Sequence, residues 1–113
     1  MGRLRVIDDI IALAPRIEAL SQEIARHSPE LAKQMRRAWP SVLCNAGESL
    51  HRMGRKSSNR LDDAMGEARE THCALRYALA CDWLCDSEGA AEVLDRIDKI
   101  TAVLYKLAHR RPR

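Results

Sequence analysis

The feature that most constrains this chain is the spacing of Val6, Ile10, Leu13, Ile17, Leu20 and Ile24, which alternates steps of four and three residues without a break. That alternation keeps every member on one side of an α-helix, and it runs far too long for a strand of alternating pattern. The stripe recurs three more times, as Leu31, Met35, Ala38, Val42, Asn45 and Ser49, as Leu61, Met65, Ala68, His72, Leu75 and Leu79, and as Val93, Ile97, Ile100, Leu104 and Leu107. Each stripe must be buried against others of its kind, so the chain is expected to be an all-α, up-down-up-down four-helix bundle. Composition agrees: Phe is absent and the only Trp and Tyr residues are two of each, which leaves few of the residues that favour strands.

The breaks between stripes predict helices over about 4–27, 29–53, 58–86 and 89–109, with 1–109 as one domain and 110–113 as a basic tail. Pro15 falls inside the first stripe, but the phase is kept across it, which favours one bent helix over two short ones. Ser28-Pro29-Glu30 is a restart, with Ser28 as N-cap, Pro29 in the first turn and Glu30 facing the helix dipole. So short a link makes the first two helices antiparallel neighbours. Gly54 is expected to stop helix two, Ser57 or Ser58 to cap helix three, and Ser87-Glu88-Gly89 to form the last turn. Gly66 sits mid-helix, where it costs about 1 kcal/mol relative to Ala unless close packing needs the space. On helix two, Trp39, Ala46, Leu50 and Met53 form a flanking apolar stripe, which points to a partner subunit on that side.

No run approaches the roughly 18–20 apolar residues that span a bilayer, and no basic-apolar-small leader is written at the N-terminus. The expectation is a cytoplasmic protein without a membrane. Cys44, Cys73, Cys81 and Cys85 lie within helical patterns, so reduced thiols serving as small apolar packing residues are expected. Cys81 and Cys85, with His72 and Cys73 two to three turns earlier, do not have zinc-site spacing, so no metal is assigned. No Ser/His/Asp set, phosphate-binding glycine loop or Glu-x-x-His pair is present. Neither an enzyme nor a cofactor is expected.

The net charge is only +3, but the up-down topology sorts it. Arg3, Arg5, Arg52, Arg55, Lys56, Arg60, Lys106, Arg110, Arg111 and Arg113 collect at one end, while Glu30, Asp82, Asp86, Glu88 and Glu92 collect at the other. Clustered cations neutralise phosphates and gain affinity by releasing counterions.

Four stretches carry a family resemblance: Leu31 to Ala38 (Leu-Ala-Lys-Gln-Met-Arg-Arg-Ala); Pro40-Ser41-Val42 with Asn45-Ala46-Gly47-Glu48; Ala64 to Thr71 (Ala-Met-Gly-Glu-Ala-Arg-Glu-Thr); and Leu94-Asp95-Arg96-Ile97 through Leu104-Tyr105-Lys106-Leu107. In this order they resemble the four-helix-bundle proteins encoded in intervening sequences of bacterial large-subunit (23S) ribosomal RNA genes. Related to these is the accessory variability determinant of diversity-generating retroelements. Gly47 and Ser49 stand where the family usually has alanine and glycine, and Glu67 where it has serine. The resemblance implies a homo-oligomeric ring, typically a pentamer, with basic surfaces. For the retroelement relatives it also implies binding of nucleic acid and of a reverse transcriptase.

Two constellations remain. Asn45 and Glu48 on helix two, with Glu70 facing them from helix three beside Arg37, Arg36 or Arg69, are read as a buried polar clasp that fixes helix register rather than as an acid-base site. Arg52, Arg55, Lys56, Arg60, Arg110 and Arg111 are read as phosphate contacts to RNA or DNA. The alternative is a scaffold module that docks a partner through the exposed apolar surface around Trp39 and Leu50, or Trp83 and Leu84.

Overall fold

The computed structural model describes residues 2–110, with side chains from residue 4 onward. Its helices are α1 (Gly2–Ala25), α2 (Pro29–Ser49), α3 (Gly54–Ala80) and α4 (Ser87–Ala108). Each packs on its neighbour in the chain, and α1 closes the ring of contacts on α4. The result is an up-down-up-down bundle of 48 × 24 × 20 Å. Among the described residues no helix is long and apolar enough to cross a membrane.

The first stripe is buried from end to end: Val6, Ile10, Leu13, Ile17, Leu20 and Ile24 all belong to the core. Helix α1 continues through Pro15 as a single element. Proline has no N–H to offer the carbonyl four residues back, and one residue before that carbonyl a donor arrives from another helix. Trp39 Nε1 donates to the Ile10 carbonyl oxygen at 3.0 Å. Trp39 is buried at 3 % exposure, so the flanking stripe of α2 is core at this position and not a subunit face. Pro15 and Pro40 line one shallow apolar groove beside it, with Ile17, Met35 and Trp39.

The later stripes are buried with single positions exchanged for a neighbour. On α2 the buried set is Ala32, Met35, Ala38, Trp39, Val42, Ala46 and Ser49, so the step after Val42 is four residues and Asn45 moves to the half-buried flank. On α3 the exchange runs the other way: Thr71 is buried and His72 lies on the side facing α4, where its Nε2 is 3.1 Å from Asp98. Ser49 and Leu75, the next members of the two stripes, stay buried, so each exchange is local to one turn and not a cumulative loss of phase. The four cysteines are free and exposed; Ala74 and Ala78 take the core positions beside them on α3, which corrects the reading of these thiols as packing residues. Glu23 accepts a hydrogen bond from the Cys85 amide, and its carboxylate also pushes the Cys85 thiol pKa upward.

The turns differ from expectation in instructive ways. Ser28 does cap α2, accepting from the Leu31 amide at 3.2 Å. Helix α2 ends at Ser49 rather than near residue 53, because the Leu50 and His51 amides tighten back onto the Gly47 and Glu48 carbonyls. Gly54, at φ +57°, turns the chain into α3 at once. Helix α3 therefore starts four residues early, and it stops at Ala80 rather than near residue 86. There Asp82, at φ 59°, takes the left-handed position of a Schellman motif: the Trp83 amide reaches the Ala78 carbonyl and the Asp82 amide that of Leu79. Trp83 then packs edge-on against Tyr77 and stacks on His27. The Ser87-Glu88-Gly89 segment is the first turn of α4 and not a loop. Asp86 caps it by accepting from the Gly89 amide at 2.9 Å, and Arg16 donates to the Gly89 carbonyl at 3.0 Å. A methyl group on Gly89 would collide with the Asp86 carboxylate, so a larger residue there would force the capping side chain to shift.

Gly66 has no such neighbour. It is exposed, and a Cβ added to it meets nothing within 4 Å. Gly66→Ala is expected to stabilise the bundle by about 0.5–1 kcal/mol, read as a rise in the midpoint of urea or thermal unfolding. An unchanged or lower midpoint would show that close approach, not conformational freedom, explains the glycine.

Candidate nucleic-acid interface

Two serines assemble the basic end. Both were expected to cap their own helix, yet Met53 is the N-cap of α3 and makes no side-chain cap bond. Ser57 and Ser58 lie inside the first turns of α3 and serve its neighbours instead. Ser57 Oγ donates to the Ser49 carbonyl at 3.2 Å, and Ser58 Oγ donates to the Ala108 carbonyl at 2.8 Å. These are carbonyls at the ends of α2 and α4, where intrahelical donors run out; the Ser49 carbonyl also accepts the Arg52 amide at 3.3 Å. Three distant segments are thereby tied together, and each brings cations: Arg52 after α2, Arg55, Lys56 and Arg60 on α3, Lys106 and Arg110 at the end of α4.

The cations are not equivalent. Arg55, Lys56 and Arg110 are exposed and make no ion pair among the described residues. Arg52 is held by Glu48 four residues earlier, Nη2 to Oε1 at 2.8 Å and Nε at 3.0 Å. Arg60 donates to Asn45 Oδ1 at 3.2 Å. Arg52, Lys56, Asn59, Arg60 and Asp63 line an open cleft of about 410 Å³. Arg111 lies outside the described residues. Across an end only 24 × 20 Å in section, the cations stand within two or three Debye lengths of one another at physiological salt, so they act as one field. Glu48 and Asp63 offset part of it.

The polar clasp does not form as one unit. Arg37 donates to Glu67 at 3.2 Å and to Glu70 at 2.7 Å, and the hydrogen bond that Glu70 accepts, ahead of the charges of both carboxylates, raises the guanidinium pKa further. This cluster ties α2 to α3 on the surface. Asn45 lies about two turns further along α2, where its Nδ2 donates to the Ser41 carbonyl at 3.0 Å and to Ser41 Oγ at 3.2 Å, and Glu48 turns to Arg52. Asn45 and Glu48 are half-buried and not core, because the stripe passes through Ala46 and Ser49. Their partners place them with the basic end: each positions an arginine. Glu67 and Ser41, noted only within the family motifs, were not read as partners of these groups, although Glu67 stands three residues before Glu70 on one helix face.

The surfaces expected to dock a protein partner are exposed only in part. Trp39 and Leu84 are buried, and Leu50 is 37 % exposed. Trp83 is half-buried between His27 and Tyr77. Among the described residues no group of three His, Cys, Asp or Glu side chains could hold a metal ion.

A family model described as 23S rRNA-intervening sequence protein matches residues 2–106. The fold is similar to that of a crystal structure from Bacteroides thetaiotaomicron, a protein of unknown function from the S23 ribosomal protein family. The TM-score is 0.83 at 22 % identity, over 96 % of this chain and 98 % of that one. No curated protein matches the chain. Neither similarity points to an enzyme family.

Proposed function

Given that the chain belongs to the family of 23S rRNA-intervening sequence proteins, we propose that it is a non-enzymatic nucleic-acid-binding accessory protein whose basic bundle end contacts phosphates. The observation that carries this reading is the convergence of Arg52, Arg55, Lys56, Arg60 and Arg110 from three separated segments, locked by the two serine hydroxyls. The chemistry is charge neutralisation with little sequence reading, because phosphate contacts position a protein without specifying bases. Assembly into a homo-oligomeric ring, a pentamer by family resemblance, would repeat the basic end around a rim and multiply weak contacts by avidity. Assistance to an RNA or to a reverse transcriptase is the setting in which such a rim would serve.

The test is the triple variant R55A/K56A/R110A, built on exposed side chains without ion pairs so that folding is spared. Each lost phosphate contact lowers the slope of log K against log[salt] by about 0.7–0.9, so the slope should fall by about 2–3. The far-ultraviolet circular dichroism and unfolding midpoint should match the parent. If the affinity and the slope both stay at parental values, the basic end is ordinary solvated surface and the reading is wrong.

A further inference from the structure

The phosphate reading leaves one feature of the basic end unused. Tyr105 and His109, on the last turns of α4, stack with ring centroids 4.1 Å apart and planes 24° from parallel. Tyr105 is 54 % exposed and His109 is also on the surface. The His109 ring is fixed by its own helix: Nδ1 lies 2.9 Å from the Tyr105 carbonyl oxygen, which also accepts the His109 amide. A carbonyl only accepts, so Nδ1 carries the proton and the other ring nitrogen is left to solvent. The other aromatics have different surroundings. Trp39 is in the core, while Tyr77 and Trp83 pack on each other at the opposite end. Lys106 and Arg110 follow Tyr105 and His109 directly in sequence. Ser58 joins the same last turn of α4 to α3, and Arg55 stands one turn before it.

Resting on the nucleic-acid reading above, we infer that Tyr105 and His109 form a base-stacking platform, and that the preferred ligand is single-stranded nucleic acid with unpaired bases. Cations alone would hold any phosphate backbone. An exposed, preoriented pair of rings among them adds affinity only for bases that are free to leave a stack, since a duplex keeps its bases inside. Every base has a π-face, so the platform tolerates any sequence. RNA and DNA single strands share this chemistry, and a 2′-hydroxyl contact would separate them.

The experiment measures fluorescence anisotropy with labelled oligo(U), oligo(dT) and a mixed-sequence duplex, each of about 20 nucleotides per strand, a length that exceeds the site sizes common for such surfaces. The parent should bind the single strands more tightly than the duplex at equal salt. Tyr105→Ala, and Tyr105→Leu as a helix-favouring second variant, should weaken single-strand binding about 5- to 100-fold. Duplex binding, salt slope and unfolding midpoint should be unchanged, and Tyr105→Phe should restore single-strand affinity. Preference for oligo(U) over oligo(dT) assigns the ligand as RNA, and equal affinity assigns the shared base-stacking chemistry alone. A loss equal on single strand and duplex, or no loss, overturns the platform. If R55A/K56A/R110A still weakens binding in that case, the phosphate reading survives it; if the parent binds no strand at all, both fall.

Discussion

Trp39→Ala is expected to cost about 3–5 kcal/mol and to lower the thermal midpoint by about 10–25 °C. Trp39 is 3 % exposed within the α1–α2 core, so truncation removes the full burial of a large aromatic side chain. It also removes the Nε1 donor to the Ile10 carbonyl, close to the point where Pro15 interrupts the hydrogen bonding of α1. The neighbouring groove of about 280 Å³, lined by Pro15, Ile17, Met35 and Pro40, would open into the space left behind. Trp39→Phe separates the two effects: it keeps most of the apolar contact and loses the donor, for an expected cost of about 1–2 kcal/mol. A Trp39→Ala protein that melts within a few degrees of the parent would show that the ring is peripheral, and the apolar-face reading of α2 would return.

That residue also shows how far the sequence could be read. The helices and their antiparallel order follow from spacing, because burial of an apolar stripe is a local, periodic demand. Which of two adjacent stripes on α2 faced inward was not legible, since Trp39 satisfies either arrangement until the proline-interrupted backbone of α1 is placed opposite it. Asn45 and His72 were misassigned to the core for a related reason. The buried side of each helix is wider than one residue per turn, so at one turn of α2 Ala46 takes the inward side instead of Asn45, and at one turn of α3 Thr71 instead of His72. Asp82 illustrates a different limit. Its left-handed conformation ends α3 at Ala80, about six residues before the expected stop near residue 86, and Asp announces such a position far less strongly than Gly.

The basic end was legible as a consequence of topology, since alternating helices must bring residues 52–60 and 106–110 together. Its partner assignments were not. Glu48 and Asn45 looked like members of a buried clasp with Arg37 and Glu70, yet they face Arg52 and Arg60 instead. A long polar side chain chooses its partner by reach within three or four residues or across one helix contact, and several arginines satisfied that condition equally.

The serine hydroxyls that tie this end together give the second large effect. In S57A/S58A, the Ser49 and Ala108 carbonyls each lose a side-chain donor. Each lost bond costs about 1 kcal/mol, and more where the group stays buried; Ser57 is 4 % exposed. Alanine is the better helix former and returns up to about 0.5 kcal/mol at each site, so the net destabilisation should be about 1–2 kcal/mol. The loss is expected to be local. Amides of residues 54–60 should exchange hydrogen faster, while those near Ile97 in the middle of α4 follow only the small change in global stability. Because no charge is removed, the salt slope of nucleic-acid binding should stay at the parental value. The affinity should still fall a few-fold, since Arg55, Lys56 and Arg60 would no longer be held in place before binding. Parental exchange rates at residues 54–60 would show that packing alone holds the three segments together and that the hydroxyls contribute nothing to the site.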